Sequence, residues 1–223
     1  MPVPAGLSAA VVIVYLHGFA SSARSTKARY FQQRLAELGQ SIVCPDFNGP
    51  EFRTLTMTRM LDQVDQALPR SGQAPAVLIG SSLGGTLAVL AAERFDARVG
   101  RLVLMAPAVM FAKPGHHLLP PERIAEWRRQ GSLPFFHHGA GEEQALEFSF
   151  YEDSLRYDAF GAQFSQPTLV FQGVHDQSVD PRTVEEFARS RPNVMLSLLE
   201  DDHQLIASLP LMWEEIRRFL APT

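Results

Sequence analysis

The chain contains one cysteine, Cys44, so no disulfide can form within it. Basic residues are not in excess: 20 Lys and Arg stand against 24 Asp and Glu, a formal net charge of −4. A surface of that balance cannot neutralise a phosphate backbone, which argues against a nucleic-acid partner. Long hydrophobic runs are missing as well. The run from Ala9 to Leu16 offers about eight residues where a membrane span needs about 20. No Lys or Arg precedes it, the first being Arg24, so it lacks the charged leader of a secretory signal. No internal repeat or low-complexity tract is present. These absences predict a cytoplasmic protein with no membrane span, in which Cys44, beside Ile42, Val43 and Pro45, serves as a small buried hydrophobe.

What is there is a composition that is 46% hydrophobic and 20% charged, enough to build a sizeable core. Six short apolar runs recur: VVIVYL (11–16), SIVCP (41–45), AVLIG (76–80), RLVLMA (101–106), TLVFQG (168–173) and VMLSLL (194–199). Because they are apolar along most of their length instead of alternating, they predict strands covered on both faces, as in a parallel sheet. Segments of helical period lie between them: 26–38, ending before Gly39, then 54–68, 84–95 and 181–189, the last with Asp180 as N-cap and Pro181 in its first turn. A final helix is expected over 205–220, interrupted near Pro210. The fold class is therefore α/β, a doubly wound, mostly parallel six-stranded sheet.

About 60 residues, Pro107 to Gln166, separate two strands that a single helix could join. The periods of PERIAEWRRQG and EEQALEFSFYEDSLRYD predict two helices there. The expectation is a single domain over 1–223 with a helical cap inserted at about 108–165, too small to hold a core of its own.

The stretch GSSLGG, residues 80–85, fits G-x-S-x-G with Ser82 at its centre, after a buried strand and before a helix. That context is a strand-to-helix turn on which a serine hydroxyl is exposed for attack. A hydroxyl needs a base, and the base needs an acid to hold its tautomer. Both follow in the chain order serine, acid, histidine: Asp176 just beyond TLVFQG and His203 just beyond VMLSLL. Asp180 is explained by capping, Asp202 adjoins His203 too closely to face it, and Asp201 and Glu200 are expected to be solvated charges. His175 is expected to be a loop residue. An oxyanion would take one N–H from Leu83, after the nucleophile, and a second from Phe19 in the loop after the first strand, which His17 braces.

Taken together, YLHGF, GSSLGG, GVHDQSVD and DDHQL resemble the α/β-hydrolase superfamily over nearly the whole chain, and HGFASSARSTKA resembles the corresponding loop of small bacterial YqiA-like esterases. The resemblance implies a minimal α/β-hydrolase fold, a Ser82, Asp176, His203 triad, oxyanion donors at Phe19 and Leu83, and no cofactor. Where the family usually has Asp-Gly-His, this chain has Asp201, Asp202, His203. The expected activity is a serine acyl hydrolase acting on a small-molecule carboxyl ester or thioester, with Phe111, Trp127, Phe135 and Phe136 walling an apolar acyl pocket. A peptidase or amidase on the same triad, or a ligand-binding protein without turnover, are the alternatives. The pairs His116, His117 and His137, His138 lack the carboxylate or cysteine spacing of a metal site, so no metal is expected. Arg24, Lys27 and Arg29 fall near the rim of the site, where surface charge and recognition of an anionic group are both open readings.

Overall fold

The computed structural model describes residues 11–113 and 119–221. Six strands, β1 (Ile13–Leu16), β2 (Ile42–Val43), β3 (Ala76–Ser81), β4 (Val99–Met105), β7 (Thr168–Gly173) and β8 (Val194–Leu199), form one sheet in the order β2-β1-β3-β4-β7-β8. Every neighbouring pair is parallel. The apolar runs alternate between two cores. Val14, Leu16, Leu78, Leu102, Leu104 and Val170 face one, packed by α2 (Met57–Ala67), α3 (Leu83–Arg94) and α6 (Pro181–Arg189). Ile13, Tyr15, Ile79, Val103 and Phe171 face the other, packed by α1 (Thr26–Ala36) and α7 (Leu209–Leu220). Burial on both faces is why the strands read as continuous apolar runs.

The helices begin where side chains can satisfy their free N–H groups. Ser25 accepts from Ala28, Thr56 from Arg59 and Asp180 from Arg182. Two boundaries differ most from the sequence expectation. The second helix starts at Met57, after a separate 3-10 turn over Phe52–Thr54. The last starts at Leu209, with Pro210 in its first turn, where a missing N–H costs nothing; the proline opens that helix and does not interrupt it. Cys44 is a half-buried free thiol packed on the second core, and burial pushes its pKa up to about 12.

The insertion between β4 and β7 departs most from the expected helical cap. It holds α4 (Pro121–Gln130), an antiparallel hairpin of β5 (Ser132–His137) and β6 (Glu142–Glu147), and the short α5 (Ser149–Ser154). EEQALE is thus a strand, not the start of a helix. Its partner supplies the reason: Leu133 lies opposite Leu146 in register, both buried, and the turn between the strands carries Gly141 at φ +77°.

The insertion shares the main core. Trp127, Leu133, Leu146, Phe148 and Phe150 belong to the same apolar cluster as the sheet. The Asp153 carboxylate accepts from the Thr58 N–H and hydroxyl of α2, both at 2.7 Å. At the hairpin turn, the Gly139 N–H donates to Ala20 O at 3.3 Å in the loop after β1. His116 and His117 lie outside the described residues.

Candidate active site

The sheet reverses direction between β1 and β3: β2 lies on one side of β1, and β3 with all later strands on the other. Loops leaving adjacent strands at such a point diverge and open a crevice at their C-terminal ends. Ser82 follows β3 directly and sits at the N-cap position of α3, its side chain free of any capping bond, with φ 53° and ψ −117°. A non-glycine residue in that conformation costs about 1–3 kcal/mol. Ten of the twelve residues of α3 are buried, so burial of the helix at about 25 cal/mol per Å² of apolar surface readily offsets the strain. Glycine is required on either side. A Cβ on Gly80 would lie 2.4 Å from Gly84 O, and one on Gly84 would lie 1.9 Å from Leu16 O.

Three elements bring their residues together at this turn. Ser82 Oγ lies 3.1 Å from His203 Nε2, and His203 Nδ1 lies 2.8 Å from Asp176 Oδ2. Asp176 is 7% exposed and lies after β7; His203 lies after β8. The carboxylate is fully occupied: Oδ1 accepts the Ser178 and Val179 N–H groups at 2.8 Å each, and Oδ2 also accepts Gln172 Nε2 at 3.0 Å. Burial alone would raise its pKa, but the hydrogen bonds from His203, Val179 and Gln172 outweigh it and hold the carboxyl below its ordinary value. With Asp176 accepting, the imidazole proton sits on Nδ1 and the Nε2 lone pair faces the serine hydroxyl.

Two supports escaped the sequence reading. Gln172, fully buried, donates to Asp176 while its own Oε1 has no partner among the described residues. Gly173 permits close approach of the two loops: a Cβ there would meet the Asp201 and Asp202 carbonyl oxygens at 2.5 Å each. Repeated backbone proximity of this kind leaves no mark on hydrophobic periodicity, so only the glycine itself could have pointed to it. Asp201, expected to be a solvated charge, accepts the Asp202 and Ser208 N–H groups and shapes the turn carrying His203. Asp202 caps the Gln204 N–H, and His175 pairs at the surface with Glu200.

The loop after β1 forms the facing wall. His17 is buried, its Nε2 accepting the Phe47 N–H at 3.2 Å and its Nδ1 donating to Gly18 O at 2.9 Å; burial lowers its pKa, so it stays neutral while bracing the loop. The N–H groups of Phe19 and Leu83 donate to no acceptor among the described residues, and both residues line a cavity of about 720 Å³ together with Ser82 and His203.

Of the aromatic residues expected to wall an acyl pocket, only Phe111 lines this cavity. Trp127 is 2% exposed and sits inside the insertion, donating from Nε1 to Leu146 O at 2.8 Å. Phe135 wedges its ring between Trp127 and Phe19. Phe136 is 52% exposed and stacks edge-on against His138. Strand alternation in β5 explains the split, since neighbouring residues point to opposite faces. Arg24, Lys27 and Arg29 do line the cavity. Among the described residues, no group of three His, Cys, Asp or Glu side chains is placed to share a metal ion, and no helix is long and apolar enough to cross a membrane.

The sequence model of the family described as "Uncharacterised protein family (UPF0227)" matches residues 12–219. The chain belongs to that family. Its fold is that of the α/β hydrolases. A solved structure from Agrobacterium vitis S4, named as a candidate hydrolase, matches with TM-score 0.82 and 25% identity over 97% of this chain and 91% of that one. Mouse alpha/beta hydrolase domain-containing protein 10 matches with TM-score 0.78 and 23% identity, over 93% and 88% of the two chains. Est1E of Butyrivibrio proteoclasticus, solved with ferulic acid bound, matches with TM-score 0.77 and 20% identity, over 94% and 88%. Among curated proteins, the biotin biosynthesis bifunctional protein BioHC of Teredinibacter turnerae is 33% identical over 108 residues, which is 46% of this chain and 18% of that protein. The chain thus matches less than a fifth of that relative's length.

Proposed function

We propose that the protein is a serine acyl hydrolase that cleaves carboxyl esters or thioesters through an acyl-enzyme. The observation that carries the reading is the continuous chain Ser82 Oγ, His203 Nε2, His203 Nδ1, Asp176 Oδ2, with links of 3.1 and 2.8 Å. Ser82 attacks the acyl carbonyl as His203 takes its proton, and Asp176 holds the imidazole in the tautomer the transfer needs. The developing oxyanion is stabilised by the Phe19 and Leu83 N–H groups, both unspent on acceptors among the described residues. His203 returns the proton to the departing alkoxide or thiolate, water enters by the same base, and the acid is released. The whole chain is one domain in this reading, with residues 108–165 as the cap over the site, and it acts in the cytoplasm without a cofactor.

A peptidase on the same triad is disfavoured by the cavity wall, which among the described residues has no carboxylate to hold a peptide amine. The cap carboxylates are elsewhere: Glu126 pairs with Arg123 and Glu147 with Arg53.

The test is hydrolysis of p-nitrophenyl esters of increasing acyl length by wild type and Ser82→Ala, with matched circular dichroism. Wild type is expected to favour one chain length, and the variant to lose at least about a thousandfold in kcat. Equal rates in the two proteins would refute the role of Ser82.

A further inference from the structure

The protein bears a net charge of −4, yet the wall around Ser82 carries the opposite sign. Arg24, Lys27 and Arg29 line the cavity with His138 and His203, and among the described residues no lining residue is Asp or Glu. A cavity meant only for a neutral ester gains nothing from two exposed guanidinium groups that must shed water when it fills. Arg24 and Arg29 are exposed and take part in no ion pair among the described residues. Their guanidinium groups are free to meet a ligand.

Lys27 plays a different part. It is 8% exposed, and its Nζ donates to Gln204 O at 2.8 Å, one residue beyond His203. It is held in place there, and Asp202, Asp176 and Asp201 act on its charge, so contact with an anion falls to Arg24 and Arg29. A second cavity, of about 550 Å³, meets the first at Ser22, Arg24 and Gly139, but Asp46 and Glu51 line it. Those carboxylates would repel an anion, so the favourable field lies on the Ser82 side of Arg24.

We propose that the ester turned over at this site carries an oxyanionic group, a carboxylate or its like, seated against Arg24 and Arg29. The inference rests on the acyl-hydrolase reading and adds a substrate class to it. A guanidinium suits this task because its planar fork can meet two anionic oxygens at once.

The experiment uses two matched pairs of esters. Mono-p-nitrophenyl adipate and p-nitrophenyl methyl adipate differ by a charge on the acyl side; 4-sulfophenyl butyrate and 4-sulfamoylphenyl butyrate differ by a charge on the leaving group. In one pair the charged ester is expected to show kcat/KM at least about tenfold above its neutral partner, the scale of one hydrogen bond to a charged group. The pair that responds identifies the side of the ester bearing the anion. Arg24→Gln and Arg29→Gln should each lower that ratio, Arg24→Lys should keep part of it, and added salt should compress it. If wild type hydrolyses the neutral esters at least as well as the charged ones in both pairs, the substrate class is wrong and the hydrolase reading survives. If folded wild type hydrolyses none of the four, the hydrolase reading falls and the substrate class with it.

Discussion

Gln172 donates its amide to the same Asp176 oxygen that meets His203, at 3.0 Å, from a side chain with no exposed surface. Two donors on one oxygen fix the carboxylate's rotation, and the remaining oxygen is pinned by two backbone N–H groups. Gln172→Leu is expected to lower kcat by about tenfold, the cost of one hydrogen bond to a charged group. The Asp176 carboxyl should move back toward its ordinary value, because a carboxylate that loses a donor is easier to protonate. Stability should change little, since the substitution also removes the buried, unpartnered Oε1. An unchanged kcat, with an unmoved Asp176 titration followed by NMR, would show that Gln172 only fills space.

Gly173 should tolerate no side chain. A Cβ there meets two backbone oxygens at 2.5 Å, and backbone cannot rotate away as a side chain can. Gly173→Ala is expected to part the loops of Asp176 and His203, with activity falling further than thermal stability. Gly84→Ala is the more severe case, at 1.9 Å from Leu16 O, and should cost more than about 3 kcal/mol. For a chain of this size that is a drop of roughly 6–12 °C in Tm, measurable by calorimetry.

Lys27 makes stability rise with alkalinity. Burial, opposed by Asp202, Asp176 and Asp201, lowers its pKa from 10.5 to about 8. The folded protein therefore releases this proton before the unfolded chain does, so the unfolded state holds more protons between about pH 8 and 10.5. The penalty of burying the ammonium is present in full below about pH 8 and fades above it. The Tm of wild type minus that of Lys27→Met should grow as pH is raised from about 7 to about 10. A flat difference would mean that Lys27 keeps its ordinary affinity for the proton.

Much of this is legible in the sequence. Each of the six strands was visible as an apolar run because both sheet faces are covered. Ser82, Asp176 and His203 each stood one loop beyond such a run, and the structure brings them within hydrogen-bonding distance. The insertion was harder. EEQALE is rich in good helix formers, and it is a strand only because SLPFFH pairs with it in register; that pairing is a tertiary fact overriding local propensity. Aromatic residues there gave no sign of which face they occupy, so Trp127 inside and Phe136 outside could not be told apart. Gln172 lay unnoticed within a strand, although its polarity in an apolar run was the available clue.

The backbone N–H of Phe19 and the ring of Phe19 belong to different neighbourhoods. Its ring packs against Phe52, Phe135 and Phe150 at centroid distances of 5.4–5.6 Å, and the last two come from the insertion. In the proposed mechanism the insertion thereby helps to place a backbone donor for the oxyanion. Exchanging it with that of a relative, as a cassette to alter substrate choice, would shift the proposed oxyanion donor along with the pocket. Specificity and rate in this architecture must be re-engineered together.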